Sequence, residues 1–487
     1  MTIEYQELLV GGRWTRPEGR SRIEVVSAAT EEPLGGVPEG TAADIDRAVA
    51  AARAAFDDPR GWAAWSPRRR ADVLLRLADA LDKRNAETVR RVSTQNGMPV
   101  TTGARSEGSA PAALLRYYSA LVTEEQAEVP RRGMAGGTII VRGNPVGVVA
   151  AIVPWNFPQT LTFAKLAPAL AAGCTVVVKP APHTVLDAFL LAEAVVEAGL
   201  PQGVVSIVPG GAEVGAHLVA HPGVDKVAFT GSTATGRAIA EVCGRLLRPV
   251  TLELGGKSAA ILLDDVDLPA VLPELAAGTL GNNGQACFLS TRILAPRRRY
   301  DEVVDAVTAM AAGLRIGDPL DPATQLGPLV TARQRERVEA FIAAGRAEGG
   351  RVTTGGGRPA TRERGWYVEP TVFTGLDNHG IVCREEIFGP VLAVLEYENT
   401  EQAVALANDT EYGLAGTVWT PDEARGLALA RRLRTGTVGV NGYTVDIMAP
   451  FGGVKASGLG RELGPEALAA YREPQSVYLP HRDWTGR

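Results

Sequence analysis

The chain has 487 residues, of which 45% are apolar and 22% are charged, and its formal net charge is −5. This length and ordinary globular composition predict two or three domains. The weakly acidic balance gives no basic footprint for nucleic acid or an anionic membrane, so neither is expected as a partner. No segment has the pattern of a signal peptide or a membrane span, which favours a cytoplasmic protein.

The cysteines and histidines do not have the spacing of a disulfide framework or a metal site. The four cysteines are scattered along the chain without a Cys-x-x-Cys pair, and the five histidines show no HExxH pattern. Zinc sites and disulfide-rich folds usually show such clustering. We therefore expect neither a bound metal nor a disulfide framework.

Two helical stretches are predicted before residue 100. Residues 41–56 have a helical pattern, with Thr41 as the N-cap and Asp44 in the first turn. A second stretch, 66–92, begins at Ser66-Pro67, where serine caps the helix and proline occupies its first turn. Both starts carry residue types that suit a helix N-terminus.

From Val146 onward, continuous apolar runs alternate with helical patterns. The predicted elements are a strand at 146–154, a helix at 160–172, a strand at 175–180, a helix at 184–198, a strand at 203–210, a helix at 212–221 and a strand at 226–232. This alternation predicts right-handed βαβ units on a parallel sheet, as in a Rossmann-like α/β domain.

The C-terminal half predicts a second α/β block. Its clearest elements are a strand at 258–265, helices around 268–279 and 299–312, and an exposed hairpin or loop at 353–365. Two segments, 123–144 and 470–487, fit neither block. Each contains a short extended stretch that could pair with the other segment or with a second subunit.

Cys287 follows a Gly-Gln-Ala turn in the stretch NNGQAC, residues 282–287. The small residues expose the thiol and leave its backbone N–H free to face a cleft. A nucleophilic thiol needs this access, together with surroundings that favour the thiolate. A lone cysteine is more often a small buried hydrophobe, which is the better interpretation for Cys174 and Cys243.

Several polar residues follow or end the predicted buried strands. Glu253 lies in an apolar strand before a Gly-Gly turn, so it is either ion-paired or a base with a raised pKa. Asn156, in PWNFP, could donate to an oxyanion or cap the next helix. Lys179 ends another strand. The turn FTGSTATG, 229–236, suits a pyrophosphate but is a weak pattern without GxGxxG.

Together and in this order, these motifs resemble those of the aldehyde dehydrogenase superfamily. The matching stretches cover nearly the whole chain and are PWNFP, KPA, FTGST, LELGGKS, GQAC, EEIFGP and PFGGVKASGLGRELG. The resemblance implies NAD(P)-dependent oxidation of an aldehyde to a carboxylic acid through a thioester. It also implies hydrolysis rather than transfer to coenzyme A, because family members that acylate coenzyme A usually lack the glutamate at position 253.

The resemblance implies a catalytic role for each matching residue. Cys287 would be the nucleophile and Glu253 the base that activates water. Asn156 would form the oxyanion hole with the backbone N–H of Cys287. Lys165 and Glu462 match positions of a proton relay.

The resemblance also implies the cofactor contacts. Lys179 would bind the adenosine ribose, Gly231 and Ser232 would lie against the pyrophosphate, Glu386 would hold the nicotinamide ribose, and Phe388 would pack at the nicotinamide end. Further contacts are expected from Ile152, Pro154, Trp155 and Thr235. NAD is the expected cofactor. NADP is the alternative, because Pro182 replaces a glutamate that accepts ribose hydrogen bonds in many relatives, although no arginine lies nearby in sequence.

The resemblance also implies a mainly apolar substrate pocket, which would consist of Phe157, Leu161, Ala164, Phe288, Val445, Ile447 and Phe451. Ala164 stands where many relatives carry an aromatic residue, which predicts a wide tunnel. No arginine is placed to bind a carboxylate tail, and no aromatic cage suits a quaternary ammonium. A neutral, apolar aldehyde of medium to large size is therefore the expected substrate.

The implied architecture has three parts. Residues 1–122 and 145–254 would form the cofactor-binding domain, 255–469 the catalytic domain, and 123–144 with 470–487 a small β oligomerisation arm. The arm implies a homodimer or a homotetramer.

Two alternative functions remain open. One is a cysteine hydrolase or acyltransferase with a histidine base such as His221 or His379, and the other is a catalytically silent family member.

Overall fold

The computed structural model describes residues 2–126, 128–134 and 136–480. The strands up to residue 253 are β1 (Ile3–Glu4), β2 (Leu8–Val10), β3 (Arg13–Thr15), β4 (Arg22–Val26), β5 (Pro33–Pro38), β6 (Glu128–Arg132), β7 (Thr138–Pro145), β8 (Val148–Ile152), β9 (Thr175–Lys179), β10 (Val205–Ile207), β11 (Lys226–Thr230) and β12 (Val250–Glu253). The helices of this half are α1 (Ala42–Asp57), α2 (Pro67–Asp82), α3 (Asn85–Asn96), α4 (Val100–Gly103), α5 (Ala110–Glu124), α6 (Pro158–Ala172), α7 (Leu186–Glu197), α8 (Ala212–Ala220) and α9 (Thr233–Arg245).

After residue 253 the strands are β13 (Ala259–Leu262), β14 (Arg292–Pro296), β15 (Arg351–Thr354), β16 (Thr371–Thr374), β17 (Val391–Tyr397), β18 (Thr417–Trp419), β19 (Gly439–Val440), β20 (Gly458–Leu459) and β21 (Arg472–Leu479). The helices are α10 (Leu268–Leu280), α11 (Tyr300–Ala312), α12 (Ala332–Ala347), α13 (Ile381–Arg384), α14 (Thr400–Asn408), α15 (Glu423–Ala430) and α16 (Gly464–Ala470). No helix among the described residues is both long and apolar enough to cross a membrane.

The first large sheet has the strand order β20-β12-β11-β8-β9-β10-β2-β3. Strands β12, β11, β8, β9 and β10 are parallel, and each is almost wholly buried because its β-branched residues are covered by helices on both faces. The chain order reverses between β8 and β11. Ligands of open parallel sheets bind at this switch point, beyond the carboxyl ends of the strands. The predicted Rossmann-like α/β fold is confirmed.

The second large sheet has the order β15-β16-β17-β14-β13-β18-β19. All its pairs are parallel except β15 with β16, which are antiparallel. The segment 353–365, predicted as an exposed hairpin or loop, lies largely in the connection between these two antiparallel strands. A smaller sheet, β1-β5-β4, flanks the N-terminal region.

The two segments that fit neither block pair with each other. Strand β21 runs antiparallel to β7 over eight residues, and β6 pairs on the other side of β7. Helix α5 extends to Glu124, so the first of these segments becomes extended only after its first few residues. The rest of the second segment, 481–487, lies outside the described residues.

The single helical stretch expected over 66–92 is wrong, because the structure has two helices there. Helix α2 ends at Asp82 and α3 starts at Asn85. Between them Arg84 adopts φ −102° and ψ 0°, and its N–H bonds Leu81 in a tight i→i−3 turn. The residues around Lys83 are of types that are common in helices, so the amino-acid composition does not show where the first helix ends.

Helix α6, which follows Asn156, is capped by a side chain that is distant in sequence. Its N-cap residue, Phe157, makes no side-chain capping bond. Instead the buried Glu107 accepts the N–H of Gln159 at 2.7 Å. Glu107 is placed by a π-helical turn, Ala104–Ser109, ahead of α5. A carboxyl group at this position satisfies a free N–H and favours the helix dipole.

Candidate active site

The carboxyl ends of the parallel strands bring the predicted residues to one edge of the first sheet. Asn156 follows β8, Lys179 ends β9, Ser232 follows β11 and Glu253 ends β12. Since β8 pairs with both β9 and β11, and β11 with β12, the four positions lie on neighbouring strands. The sheet therefore gathers residues that lie far apart in sequence.

Cys287 lies in a loop that a left-handed turn raises toward this edge. Asn282 and Asn283 have φ values of 47° and 60°, and Gly284 has a φ of 75°. A side chain at Gly284 would collide with the backbone of Gly389, so only glycine allows the two loops to meet. Cys287 remains half-buried, while the other three cysteines are buried.

The surroundings of Cys287 do not favour the thiolate. Burial raises the pKa of the thiol above its usual value, and the nearby carboxylates of Glu386 and Glu253 raise it further. The backbone N–H groups of Cys287 and Phe288 act in the opposite direction. The thiol therefore needs a base to become a nucleophile.

Asn156 is held by the loop that carries Cys287. Its side-chain amide donates to the Gln285 carbonyl at 3.0 Å, and it does not cap α6. The backbone carbonyl of Asn156 accepts hydrogen bonds from the side-chain amides of Asn282 at 3.1 Å and Asn96 at 3.3 Å. With one amide hydrogen engaged, the second is free to donate elsewhere, as a fixed oxyanion donor must be.

Glu253 is a buried carboxylate without a hydrogen-bond partner. It is 2% exposed, and both carboxylate oxygens lack a partner. Burial raises its pKa well above the usual value, Glu462 adds to this rise, and Lys165 and Arg461 oppose it. Of the two interpretations left open by the sequence, the structure has the unpaired carboxyl with a raised pKa, which suits a general base.

Lys165 and Glu462 form a buried ion pair beside Glu253. The lysine Nζ lies 2.7 Å from Glu462 Oε1 and donates to Thr230 Oγ1 at 2.5 Å. Lys165 projects from α6, and the backbone of Glu462 pairs with that of Phe451. The structure thus brings together two residues that lie almost 300 positions apart.

The start of α9 has the geometry of an anion site. Ser232 is the N-cap, and its hydroxyl accepts the N–H of Thr235 and contacts the Thr235 hydroxyl at 2.9 Å. A β-carbon at Gly231 would collide with the Phe229 ring, so the backbone there needs glycine. Free N–H groups at such a helix start suit a pyrophosphate.

Lys179, at the end of β9, is buried against the first turn of α8. Its ammonium donates to the Gly210 carbonyl at 2.7 Å, and burial lowers its pKa to about 8. Pro182 begins a short 3₁₀ turn, and His183 next to it interacts electrostatically with Lys179 and with Arg333 of α12. Sequence inspection missed this arginine because it comes from a distant helix.

Glu386 and Phe388 lie in the loop between α13 and β17. Glu386 accepts the Gly256 N–H at 3.1 Å, and burial raises its pKa to about 7. The Phe388 ring packs edge-on against Trp155, with 5.3 Å between ring centroids. Ile152 is the last residue of β8, and Pro154 lies between it and Trp155. The loop and the β8 end therefore form one wall.

The predicted pocket residues fall into two groups. Phe157, Leu161 and Ala164 are spaced along one face of α6, and Ile447 and Phe451 pack against the core cluster that contains Ala164. The second group consists of Phe288 and Val445. The Phe288 ring stacks on that of Tyr443, a residue that sequence inspection missed, with 5.2 Å between the ring centroids. Val445 is 38% exposed and lies at a more open position.

The described histidines are engaged elsewhere. His217 and His221 face Asp46, His379 is exposed near Asp409, and His183 lies beside Lys179. None of them is among the groups that influence the pKa of the Cys287 thiol. A histidine-assisted cysteine hydrolase therefore has no support from the described residues.

A Rossmann-like sheet beside an accessible cysteine and an unpaired buried carboxylate is typical of a nucleotide-dependent enzyme that acts through a thiol. A family model described as the aldehyde dehydrogenase family matches residues 14–477. A relative named geranial dehydrogenase, from Castellaniella defragrans, is 54% identical over 479 residues, covering 98% of this chain and 100% of that protein.

Solved structures agree with this match. An aldehyde dehydrogenase from Mycobacterium tuberculosis complexed with NAD+ has a TM-score of 0.96 at 47% identity, with 99% of both chains covered. An aldehyde dehydrogenase C from Pseudomonas syringae, complexed with NAD+ and octanal, has a TM-score of 0.92 at 40% identity, covering 97% of this chain and 96% of that one. The chain therefore belongs to the aldehyde dehydrogenase family. Its activity is the NAD-dependent oxidation of an aldehyde.

Proposed function

We propose that this enzyme oxidises a neutral, apolar aldehyde of medium to large size to its carboxylic acid. The observation that carries the proposal is the apolar character of the side chains along α6 and around Phe451. The relatives agree with it, since one is named for geranial, a branched apolar aldehyde, and another was solved with octanal.

Cys287 is proposed as the nucleophile. Its thiol, which is only half-buried, releases its proton to solvent water. The sulfur then adds to the aldehyde carbon, which forms a thiohemiacetal with a negatively charged oxygen. The free amide hydrogen of Asn156 and the backbone N–H of Cys287 would stabilise that oxygen. Each such donor contributes about 3–4 kcal/mol to lowering the barrier.

The cofactor contacts are proposed for NAD, and the residues present fit it. The α9 N-terminus has free N–H groups for the pyrophosphate, with Gly231, Ser232 and Thr235 around it. Lys179 would hold the adenosine ribose, and Glu386 has a carboxylate available for ribose hydroxyls. Ile152, Pro154, Trp155 and Phe388 would complete the site. When bound, NAD would accept the hydride that the thiohemiacetal loses in becoming a thioester.

Glu253 is proposed as the base that activates water to hydrolyse the thioester. Its carboxylate is buried and unpaired, so it is free to accept a proton from water. The Lys165–Glu462 pair beside it would pass that proton on. Hydrolysis releases the carboxylic acid and restores the thiol of Cys287.

The assembly and location are also proposed. Residues 1–122 with 145–254, and 255–469, are proposed as cofactor-binding and catalytic domains, and 123–144 with 470–487 as an oligomerisation arm. The arm sheet has exposed apolar residues, among them Val129 and Tyr478, that suit contact with a second copy. All four cysteines are free thiols, as is usual in the cytoplasm.

A panel of aldehydes tests the substrate proposal. Purified enzyme is assayed at 340 nm with NAD and with geranial, octanal, succinic semialdehyde and betaine aldehyde. We expect the highest kcat/KM for geranial or octanal. A higher value for the anionic or the cationic aldehyde would contradict the proposal.

A further inference from the structure

Lys257 is a buried lysine that the proposed mechanism does not use. It follows the Gly-Gly turn after β12 and is 2% exposed. Its ammonium has no hydrogen-bond acceptor and no ion-pair partner among the described residues. Because an unpaired charge in a protein interior is costly, the retention of a lysine here suggests a function.

The other buried lysines of this region differ from Lys257. Lys165 pairs with Glu462, and Lys226 donates to the Thr251 hydroxyl at 2.9 Å. Lys257 instead lines a small cavity together with Glu386, the residue proposed to hold the nicotinamide ribose. The rest of the lining consists of Thr291, glycines of the adjoining turns and the apolar residues Ala286, Leu289, Ile387 and Phe388. A lysine and a glutamate thus line one small, partly open cavity without forming an ion pair.

Several charged groups surround this pair. Gly256 donates its N–H to Glu386, and the Arg337 guanidinium lies near enough to favour the carboxylate. Glu385, the Cys287 thiol and Tyr412 interact with Glu386 from neighbouring segments.

Around Lys257 itself, the Arg292 guanidinium opposes its positive charge, whereas Cys383, Glu386 and Glu385 favour it. Among the cations that face Glu386, Lys257 is the one that shares the cavity with it. Arg337 is exposed, so solvent screens its effect.

We propose that Lys257 is a positioning residue for the cofactor, whose charge keeps Glu386 ionised and able to accept hydrogen bonds from the nicotinamide ribose. This inference rests on the proposed role of Glu386. A protonated Glu386 would offer one acceptor fewer and would bind the ribose more weakly. A positive charge across a cavity in the protein interior stabilises the carboxylate because water screens it poorly there.

The pH dependence of NAD binding tests this inference without relying on turnover. The dissociation constant is measured by calorimetry for the full-length protein and for Lys257→Met between pH 6 and 9. Removing one such charge raises a neighbouring carboxyl pKa by about one unit. Since burial raises the pKa of Glu386 to about 7, NAD binding by K257M should be about fivefold weaker than wild type at pH 7 and nearly equal at pH 9.

Lys226→Met is the matched control, because it removes a lysine of similar burial that does not line this cavity. The pH at which NAD affinity is half its maximum, here called the binding midpoint, should be the same in K226M as in wild type. Two results would overturn the inference. One is a binding midpoint in K257M equal to that of wild type, and the other is an NAD affinity that is reduced by the same factor at every pH.

Glu386→Gln separates this inference from the role of Glu386 itself. Wild-type NAD affinity in E386Q would show that Glu386 does not hold the cofactor. Weaker binding in E386Q with an unshifted midpoint in K257M would contradict only the role of Lys257. If K257M does not fold, K257M/E386Q should restore folding because both buried charges are removed. Equal loss of folding in the double variant would also overturn the inference.

Discussion

Replacing Asn156 with alanine tests the oxyanion donor separately from folding. The amide of Asn156 donates one hydrogen to the Gln285 carbonyl, so the other is the single one available to a reacting oxygen. Removing one such donor costs about 3 kcal/mol of transition-state stabilisation, equivalent to a fall of about 100- to 1000-fold in rate.

The same substitution should cost little stability. The Gln285 carbonyl also receives the Asn282 amide at 3.4 Å, so it keeps a donor when Asn156 is removed. Losing the remaining hydrogen bond costs about 1 kcal/mol. The expected signature is therefore a large kinetic defect in a protein that melts close to the wild-type temperature.

The assay is stopped-flow measurement of the first NADH turnover with octanal at saturating NAD, alongside thermal unfolding. Asn378→Ala is the control, because Asn378 is a similarly buried asparagine in the loop before α13, where it bonds Arg292 and Asp409 away from Cys287. N378A should lose stability and keep its first-turnover rate. A fall of less than about tenfold in N156A would refute the role given to this amide.

Three further changes test other parts of the site. Lys165→Met should destabilise the protein by about 3–5 kcal/mol in urea unfolding, because it leaves Glu462 buried without its partner, and K165M/E462Q should recover most of the loss. Pro182→Glu should lower kcat/KM for NADP by about tenfold or more with little effect on NAD, since it adds a carboxylate near Lys179; an unchanged ratio would contradict this placement. Ala164→Phe should reduce kcat/KM for geranial more than for acetaldehyde, and equal reductions would show that Ala164 does not face the substrate.

Much of the fold is predictable because its signals are local. Runs such as the one around Val149 are apolar throughout, which is typical of strands buried on both faces of a parallel sheet. Thr41 with Asp44 forms the capping box that its spacing predicts. The break near Arg84 was not predictable, because a tight turn between two polar helical stretches leaves no distinctive composition.

The candidate site was predicted through the family resemblance and less well from the residues alone. Strand ends explain why Asn156, Lys179 and Glu253 lie at one edge. Burial raises the pKa of the Cys287 thiol, and carboxylates from two distant segments raise it further, so local sequence gives no sign of the shift. The same reason hides Arg333 near His183 and the shared cavity of Lys257 and Glu386.

The pH dependence of thioester hydrolysis follows from Glu253. Burial and Glu462 raise its pKa, so the fraction in the basic, ionised form increases as the pH rises. The deacylation rate should therefore increase from pH 7 to pH 9 in wild type. The rate in Glu253→Gln should be low and nearly independent of pH in single-turnover experiments, and a matching pH profile in both proteins would exclude Glu253 as the base.

Trapping the acyl group on the enzyme tests the central claim most directly. Glu253→Gln is mixed with NAD and octanal, quenched in acid, digested and analysed by mass spectrometry. We predict one NADH per active site and an octanoyl group on the peptide that contains Cys287. An octanoyl group on Cys174, Cys243 or Cys383, or NADH formation without any acylated cysteine, would contradict it.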